Sequence, residues 1–367
     1  MSRRCAIALG VLSFTFFVAV AQADVFNMPN GQVSLRTVPV GNAGNAADTT
    51  GCGAVGYNYS IGKYDVTVGQ YCEFLNAVAK TDSYYLYTSG MAMGYVSPTV
   101  GIARSGSWGN YSYSVAYDAA AWSTYSNNYP NLYSSPLAAA SACPIFDTNW
   151  GDAARFCNWL QNGQPSFAAG TPGEVAGSTE TGAYTLNGDM SYLLEPRNTG
   201  ATWFLPSENE WYKAAYYNPS TGAYWTYPTQ SDPFHFPSNV LSATGTNNAN
   251  FSDNGYTDPM NHLTPVGVFA ASPGPYGTYD MGGDVWQWNE AITSSLGFTY
   301  RGQRGGFWNM GYNLLASYTR GGDSPVSDFA GTGFRVASLA VPEPDSVALL
   351  VAVALGLPAY TWRRRLL

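Results

Sequence analysis

Apolar residues recur at helical spacing in three short stretches of the chain. Behind Thr67, the residues Tyr71, Phe74, Leu75 and Val78 fall at i, i+3, i+4 and i+7, one apolar face of a helix. A second helix is predicted over 149–161, where Asn149 stands as the cap with Asp152 three residues on. Phe156, Trp159 and Leu160 of this helix turn inward, and Gly163 supplies its stop. Ser207 and Glu210 form an S-x-x-E capping box ahead of a third, brief helix with Trp211, Ala214 and Ala215 on one side. Elsewhere the pattern changes. Residues 83–141, rich in Tyr, Ser, Ala and Gly, and 164–202, rich in Gly, Thr and Ser, read as long decorated loops or short-stranded inserts outside the core. From Pro228 onward, aromatic residues alternate with Gly, Asn and Asp without helical period, which predicts short strands joined by turns.

Both ends of the chain carry a different, continuous apolar pattern. Residues 1–23 have a basic start at Arg3 and Arg4, an apolar run, and Ala21-Gln22-Ala23, the small-x-small pattern that signal peptidase accepts. They are expected to be a secretory signal peptide; the run is short for a membrane anchor. Residues 346–362 hold no charge and are followed by Arg363, Arg364 and Arg365, a hydrophobic helix with a flank that stays cytoplasmic. Val341-Pro342-Glu343-Pro344 stands just before it. Taken together, 342–367 resembles a PEP-CTERM sorting signal: a Pro-Glu-Pro motif, one hydrophobic helix and a terminal Arg cluster. That resemblance implies an exopolysaccharide-producing Gram-negative source, transient inner-membrane association through the tail, and tail removal by an exosortase-type processing enzyme. The competing reading is a permanent single-span anchor, and either one places the body, 24–341, outside the cytoplasm.

Composition sharpens this picture. Charged residues make up 11% of the chain, against about 25% in an ordinary soluble domain. Between Asp24 and Val341 there are 11 basic residues against 22 acidic ones, a net of −11. So acidic a body repels phosphate backbones, and nucleic-acid binding is excluded as a general function. Cys5 leaves with the signal peptide. Cys52, Cys72, Cys143 and Cys157 then remain, an even number that is expected to form disulfides in an oxidising compartment, with three pairings open. No C-x-x-C or Cys/His spacing suggests zinc.

Six segments, in order, carry a resemblance to a known family. They are 64–67 (YDVT), 147–160 (DTNWGDAARFCNWL), 205–211 (LPSENEW), 279–288 (YDMGGDVWQW), 304–308 (RGGFW) and 333–335 (GFR). Together they resemble the landmarks of the formylglycine-generating enzyme, or sulfatase-modifying factor, family. The resemblance implies an α+β, C-type-lectin-like fold over 24–341, low in regular secondary structure, with short helices, short strands and long loops. The two inserts fall between landmarks.

Family enzymes oxidise a substrate cysteine to formylglycine with two cysteines five residues apart, bound to copper in some members. Counting back from Gly333 places Tyr312 and Ser317 at those positions. Without a thiolate there is no soft ligand for copper, so no copper and no formylglycine synthesis are expected. The family's calcium sites map onto Asn250, Phe251, Asp258 and Met260, and onto Asp280, Gly283, Val285 and Gln287. These oxygen ligands suit structural Ca²⁺, although Gln287 stands where Glu is more usual and Asp284 is nearby; Asx turns are the plain alternative for the same residues.

Other chemistry is weak. His235 is expected to be a packed loop histidine and His262 a surface or hydrogen-bonding one, and Glu208 and Glu210 are too close along a helix start to face each other. Trp108, Tyr111, Tyr113, Tyr117, Trp122, Tyr125 and Tyr129 form a nearly uncharged aromatic segment that is expected to be an exposed recognition surface. The leading expectation is a non-catalytic binding or structural protein of the exopolysaccharide or biofilm matrix, its partner a polysaccharide or a surface protein. The alternative is an enzyme of the same fold acting around Tyr312, Ser317 and Arg320.

Overall fold

The fold was analysed in a computed structural model. The structure describes residues 34–192, 194–295 and 297–339. The expected signal peptide 1–23, the Pro-Glu-Pro motif and the apolar stretch 346–362 lie outside them. Among the described residues no helix is long and apolar enough to cross a membrane.

All three predicted helices form, each with a reciprocal cap. Helix α1 (Val68–Val78) starts at Thr67, whose side chain accepts from the Gln70 N–H while the Gln70 side chain returns to the Thr67 N–H. Asn149 and Asp152 do the same for α4 (Trp150–Gln161), and Ser207 and Glu210 for α5 (Glu208–Tyr216). Each such cap contributes about 1 kcal/mol by satisfying donors that the first turn leaves open. The apolar faces then meet: Phe74 lies 5.3 Å from both Phe156 and Trp159, and Phe156 lies 5.3 Å from Phe334.

Phe334 belongs to the strands that hold the site. Strand β9 (Thr332–Phe334) pairs in parallel with β6 (Trp286–Ser295), which pairs with β7 (Phe298–Arg304), and β8 (Gly321–Asp323) closes the order β8-β7-β6-β9. A second sheet runs β1 (Thr37–Val40), β2 (Tyr59–Gly62), β10 (Ala337–Ser338), β5 (Trp203–Phe204). The chain passes from one sheet to the other through Arg335. Its buried guanidinium donates to Gly62 O, Gln287 Oε1, Asp65 Oδ1, Tyr279 O and Asp280 O. One fully donating arginine therefore ties three of the landmark segments together. Strands β6 and β7 bear out the expectation of strands after Pro228. Residues 228–285 do not, since they pair only through isolated bridges.

The insert 83–141 departs from its reading as decoration. It forms a hairpin, β3 (Val100–Ser105) with β4 (Ser112–Tyr117), and two helices, α2 (Ala119–Asn128) and α3 (Pro136–Ser141). Trp122, Tyr125, Tyr133, Val100 and Ile102 are buried in the same core as α1. The expected recognition surface is overturned for the same reason. Trp108 is 71% exposed, but Tyr113, Trp122 and Tyr125 are buried and Tyr111, Tyr117 and Tyr129 half-buried. Helical spacing marks the cause, since Trp122 and Tyr125 are i and i+3 on α2, a face hidden in the sequence among Ala, Ser and Asn.

No disulfide forms among the described cysteines; Cys52, Cys72, Cys143 and Cys157 are free thiols. Three of them are fully packed side chains. Cys72 on α1, Cys143 beyond α3 and Cys157 on α4 act as small core hydrophobes, and burial pushes each of these thiols up.

Candidate functional site

Strand β7 ends in Arg304, followed by Gly305 and Gly306 at φ 104° and 73°. A side chain at Gly305 would meet Met281 O at 2.9 Å, so the turn needs glycine on both counts. The turn sends Phe307 and Trp308 inward and leads to a short 3-10 turn, Tyr312–Leu315.

Tyr312 is a packed ring. It lies 4.6 Å from Phe236 and 6.4 Å from both Tyr227 and Phe251. Ser317 is buried at 8% exposure; its N–H donates to Thr226 O at 2.8 Å, and its carbonyl accepts from Arg304 Nη1 at 2.8 Å. Both side chains that the count back from Gly333 singled out are therefore packed.

Around Ser317 lies a polar cluster that sequence reasoning did not assemble. Arg304 donates from Nε and Nη2 to Glu208 Oε1 at 3.0 and 2.7 Å, and Arg320 Nη2 reaches the other oxygen, Glu208 Oε2, at 2.7 Å. Arg304 Nη2 also reaches Cys52 Sγ at 3.5 Å. Tyr212 sits under the Arg304 guanidinium, donates its hydroxyl to Asp48, accepts from Thr50 and meets the Ser317 side chain. Burial, then the bond to Asp48, pushes the Tyr212 phenol up. The signal for Cys52 was its setting: Gly51 and Gly53 flank it, whereas Cys72 and Cys157 lie within apolar helical patterns. What placed it beside Arg304, a contact spanning 252 residues, is tertiary structure.

In both proposed calcium sets, protein donors already occupy several of the side-chain oxygens. In the first, Asp258 Oδ1 accepts from the N–H groups of Met260 and Asn261, and Oδ2 from Tyr125 Oη and Asn261 Nδ2. Four donors saturate the carboxylate as an Asx-type cap. Phe251 O accepts from Thr257, while the buried Asn250 Oδ1 has no partner among the described residues. In the second set, Gln287 Oε1 accepts from Trp211 Nε1 and Arg335 Nε, while its amide donates to Asp280 O. Asp280 itself accepts from Gly267 N–H, and Asp284 takes donors from Thr264 and Asn250. With Gln287 in place of an acid, the positive charge at this loop is the Arg335 guanidinium. Gly283 and Val285, expected to offer carbonyls, are tightly packed: a side chain at Gly283 would meet Asn250 O at 2.1 Å, and Val285 is fully buried.

The histidines divide. His262 stacks on Trp308 at 4.2 Å and its Nδ1 lies 3.0 Å from Val96 O, a hydrogen-bonding residue as expected. His235 is exposed and pairs with Asp232 at 2.8 Å, which corrects its reading as a packed residue. Glu208 and Glu210 turn apart, Glu208 to Arg304 and Arg320, Glu210 to Arg197 and its own cap.

The sulfatase-modifying factor enzyme 1-like domain matches residues 21–340. The chain belongs to that family. Hercynine oxygenase of Mycolicibacterium smegmatis is similar to this sulfatase-modifying-factor domain, 29% identical over 153 residues, 36% of this chain and 32% of that protein. Hercynine oxygenase of Mycolicibacterium thermoresistibile is 28% identical over 153 residues, 36% and 31%. The chain spans about a third of the length of these curated relatives. Among solved structures, Treponema denticola variable protein 1 aligns with a TM-score of 0.47 and 15% identity over 86% of this chain and 98% of that one. PvdO from Pseudomonas aeruginosa aligns with 0.41 and 16% over 87% and 100%. The family match and the described elements themselves give the mixed α+β arrangement of short elements that the landmark segments implied.

Proposed function

We propose that this chain is an exported, surface-associated binding or structural protein that keeps the sulfatase-modifying-factor fold without the family's cysteine chemistry. One observation carries the reading: Tyr312 is packed against Phe236 and Ser317 is buried under Arg304, where the redox pair would stand. No sulfur lies at those two positions to bind copper or to pass electrons. The leader and the Pro-Glu-Pro tail support export, processing by an exosortase-type enzyme and residence in an exopolysaccharide matrix. Incubating the processed protein with cysteine-containing peptides, copper and oxygen yields no aldehyde product by mass spectrometry, while a glycan and peptide array yields a bound class. Aldehyde formation overturns the reading.

A second reading rests on a different observation. Cys52 beside Arg304, with Ser317, Tyr212 and Arg320 around it, is a nucleophile next to a fixed positive charge. An enzyme of this kind loses its turnover in Cys52→Ser, whereas a binding protein keeps its affinity.

A further inference from the structure

Next to Ser317, Tyr318 begins an aromatic face whose exposed residues lie outside the landmark segments. Phe236 is 51% exposed and rests on Tyr312; Met310 is 43% exposed, and Ser252 N–H donates to its carbonyl at 2.9 Å. That bond joins the Phe236–Tyr312 pair to a second group of rings, in which Tyr256, 37% exposed, meets Trp308 at 5.0 Å and His262 stacks beneath. Tyr318, 63% exposed, lies at the edge beside Tyr227. Isolated exposed rings need no explanation, but rings supported by other rings and joined through backbone form a preorganised surface.

The charge around this face decides what it fits. Between Lys213 and Arg301 the chain has no lysine or arginine, so the loops carrying Phe236 and Tyr256 hold no cation, and neither does 305–319; Arg320, next along the chain, is paired with Glu208 at 2.7 Å. Anionic polymers and anionic lipid surfaces find no unpaired cation there, since Arg320 at the edge is held by Glu208. Among the acids nearby, Asp258 is capped by four donors and Asp232 is paired with His235, while exposed Asp253 accepts from Asn254 and adds a negative charge that further disfavours anionic ligands. With a net charge of −8, a second copy of the chain is repelled at long range. What remains is a neutral polyhydroxylated polymer, whose sugar rings present C–H faces to aromatic rings and hydroxyls to tyrosine and amide groups. Trp308 Nε1, a buried donor with no partner among the described residues, lies at the base of the second ring group.

We propose that the face formed by Phe236, Tyr312, Met310, Tyr256 and Tyr318 binds a neutral polysaccharide chain. This assignment rests on the binding-protein reading above and adds to it the site and the ligand class.

The test is affinity electrophoresis of the processed full-length protein through gels holding a neutral glucan or, separately, a uronate polymer. The variants are Phe236→Ala, Tyr256→Ala and the distant control Trp108→Ala, each with an exposed ring and each checked by thermal melting. The neutral glucan is expected to retard the wild type and the uronate polymer not to. Each face variant is expected to lose about tenfold in affinity, the effect of removing one stacked ring worth ~1.4 kcal/mol, while Trp108→Ala keeps the wild-type value. Unchanged retardation in both face variants overturns the site. Retention by the uronate polymer, by none of a panel of neutral glucans, or only through dimerisation overturns the ligand class. Aldehyde formation on peptides overturns instead the binding reading beneath it, so the two failures are told apart.

Discussion

Cys52 differs from the other described thiols in one respect that chemistry can read. Cys72, Cys143 and Cys157 are buried, and burial pushes all three away from the reactive thiolate form. Cys52 is half-buried in a glycine-flanked turn with Arg304 at 3.5 Å. In the processed protein, an aromatic disulfide reagent is expected to react with one thiol at native pH and with the other three only after unfolding. Three fast thiols, or intramolecular disulfides by mass spectrometry of the untreated protein, would contradict this. Calcium is tested at the same scale. Because Asp258 and Gln287 spend their oxygens on protein donors, EDTA is expected to leave the melting temperature unchanged and millimolar calcium not to raise it. A fall with EDTA that calcium restores would place a cation back in one of the two loops.

At the scale of elements, the three capped helices were legible because a cap and an i, i+3, i+4 face are local signals, and the two coincide at Thr67, Asn149 and Ser207. Helix α2 was not, because its face is two rings among small residues and its partners are distant. Trp122 Nε1 donates to Thr99 O, and the Tyr125 hydroxyl donates to Asp258 from 133 residues away. The disulfide expectation failed for a similar reason, since an even count in an oxidising compartment says nothing about whether thiols meet. Likewise Cys52, Tyr212 and Glu208 come together only through folding. The insert's role is measurable. Trp122→Ala is expected to cost about 3–5 kcal/mol and Tyr125→Phe about 1–3 kcal/mol in chemical denaturation. Decoration would give values near zero for both.

Across the whole molecule, most of the buried acids depart from their ordinary range in one direction. Glu174 joins the two inserts by accepting from Ser83 and Tyr84 N–H, and burial pushes it up to about 7 against those bonds. Asp82, beside Arg104, is pushed up by burial to about 6. Asp65, Asp152, Asp147, Asp328 and Glu290 are raised as well, burial first in each case. Glu210 is held low by Arg197 despite burial. A carboxyl that holds its proton more tightly folded than unfolded stabilises the fold fully below its unfolded value. That contribution is lost as pH rises through the folded one. For Glu174 and Asp82 the window runs from about 4 to about 7. The expected outcome is a melting temperature that rises as pH falls from 8 to 5. Glu174 alone contributes on the order of 3 kcal/mol, or roughly 5 °C for a domain of this size. Below that window Glu210 and its arginine reverse the trend. Glu174→Gln is expected to flatten the slope between pH 5 and 8 whatever it does to absolute stability, because the amide no longer titrates. A melting temperature that falls steadily from pH 8 to 5, or a slope untouched in Glu174→Gln, would show that these acids are ionised in the folded protein and that solvent or a cation reaches them.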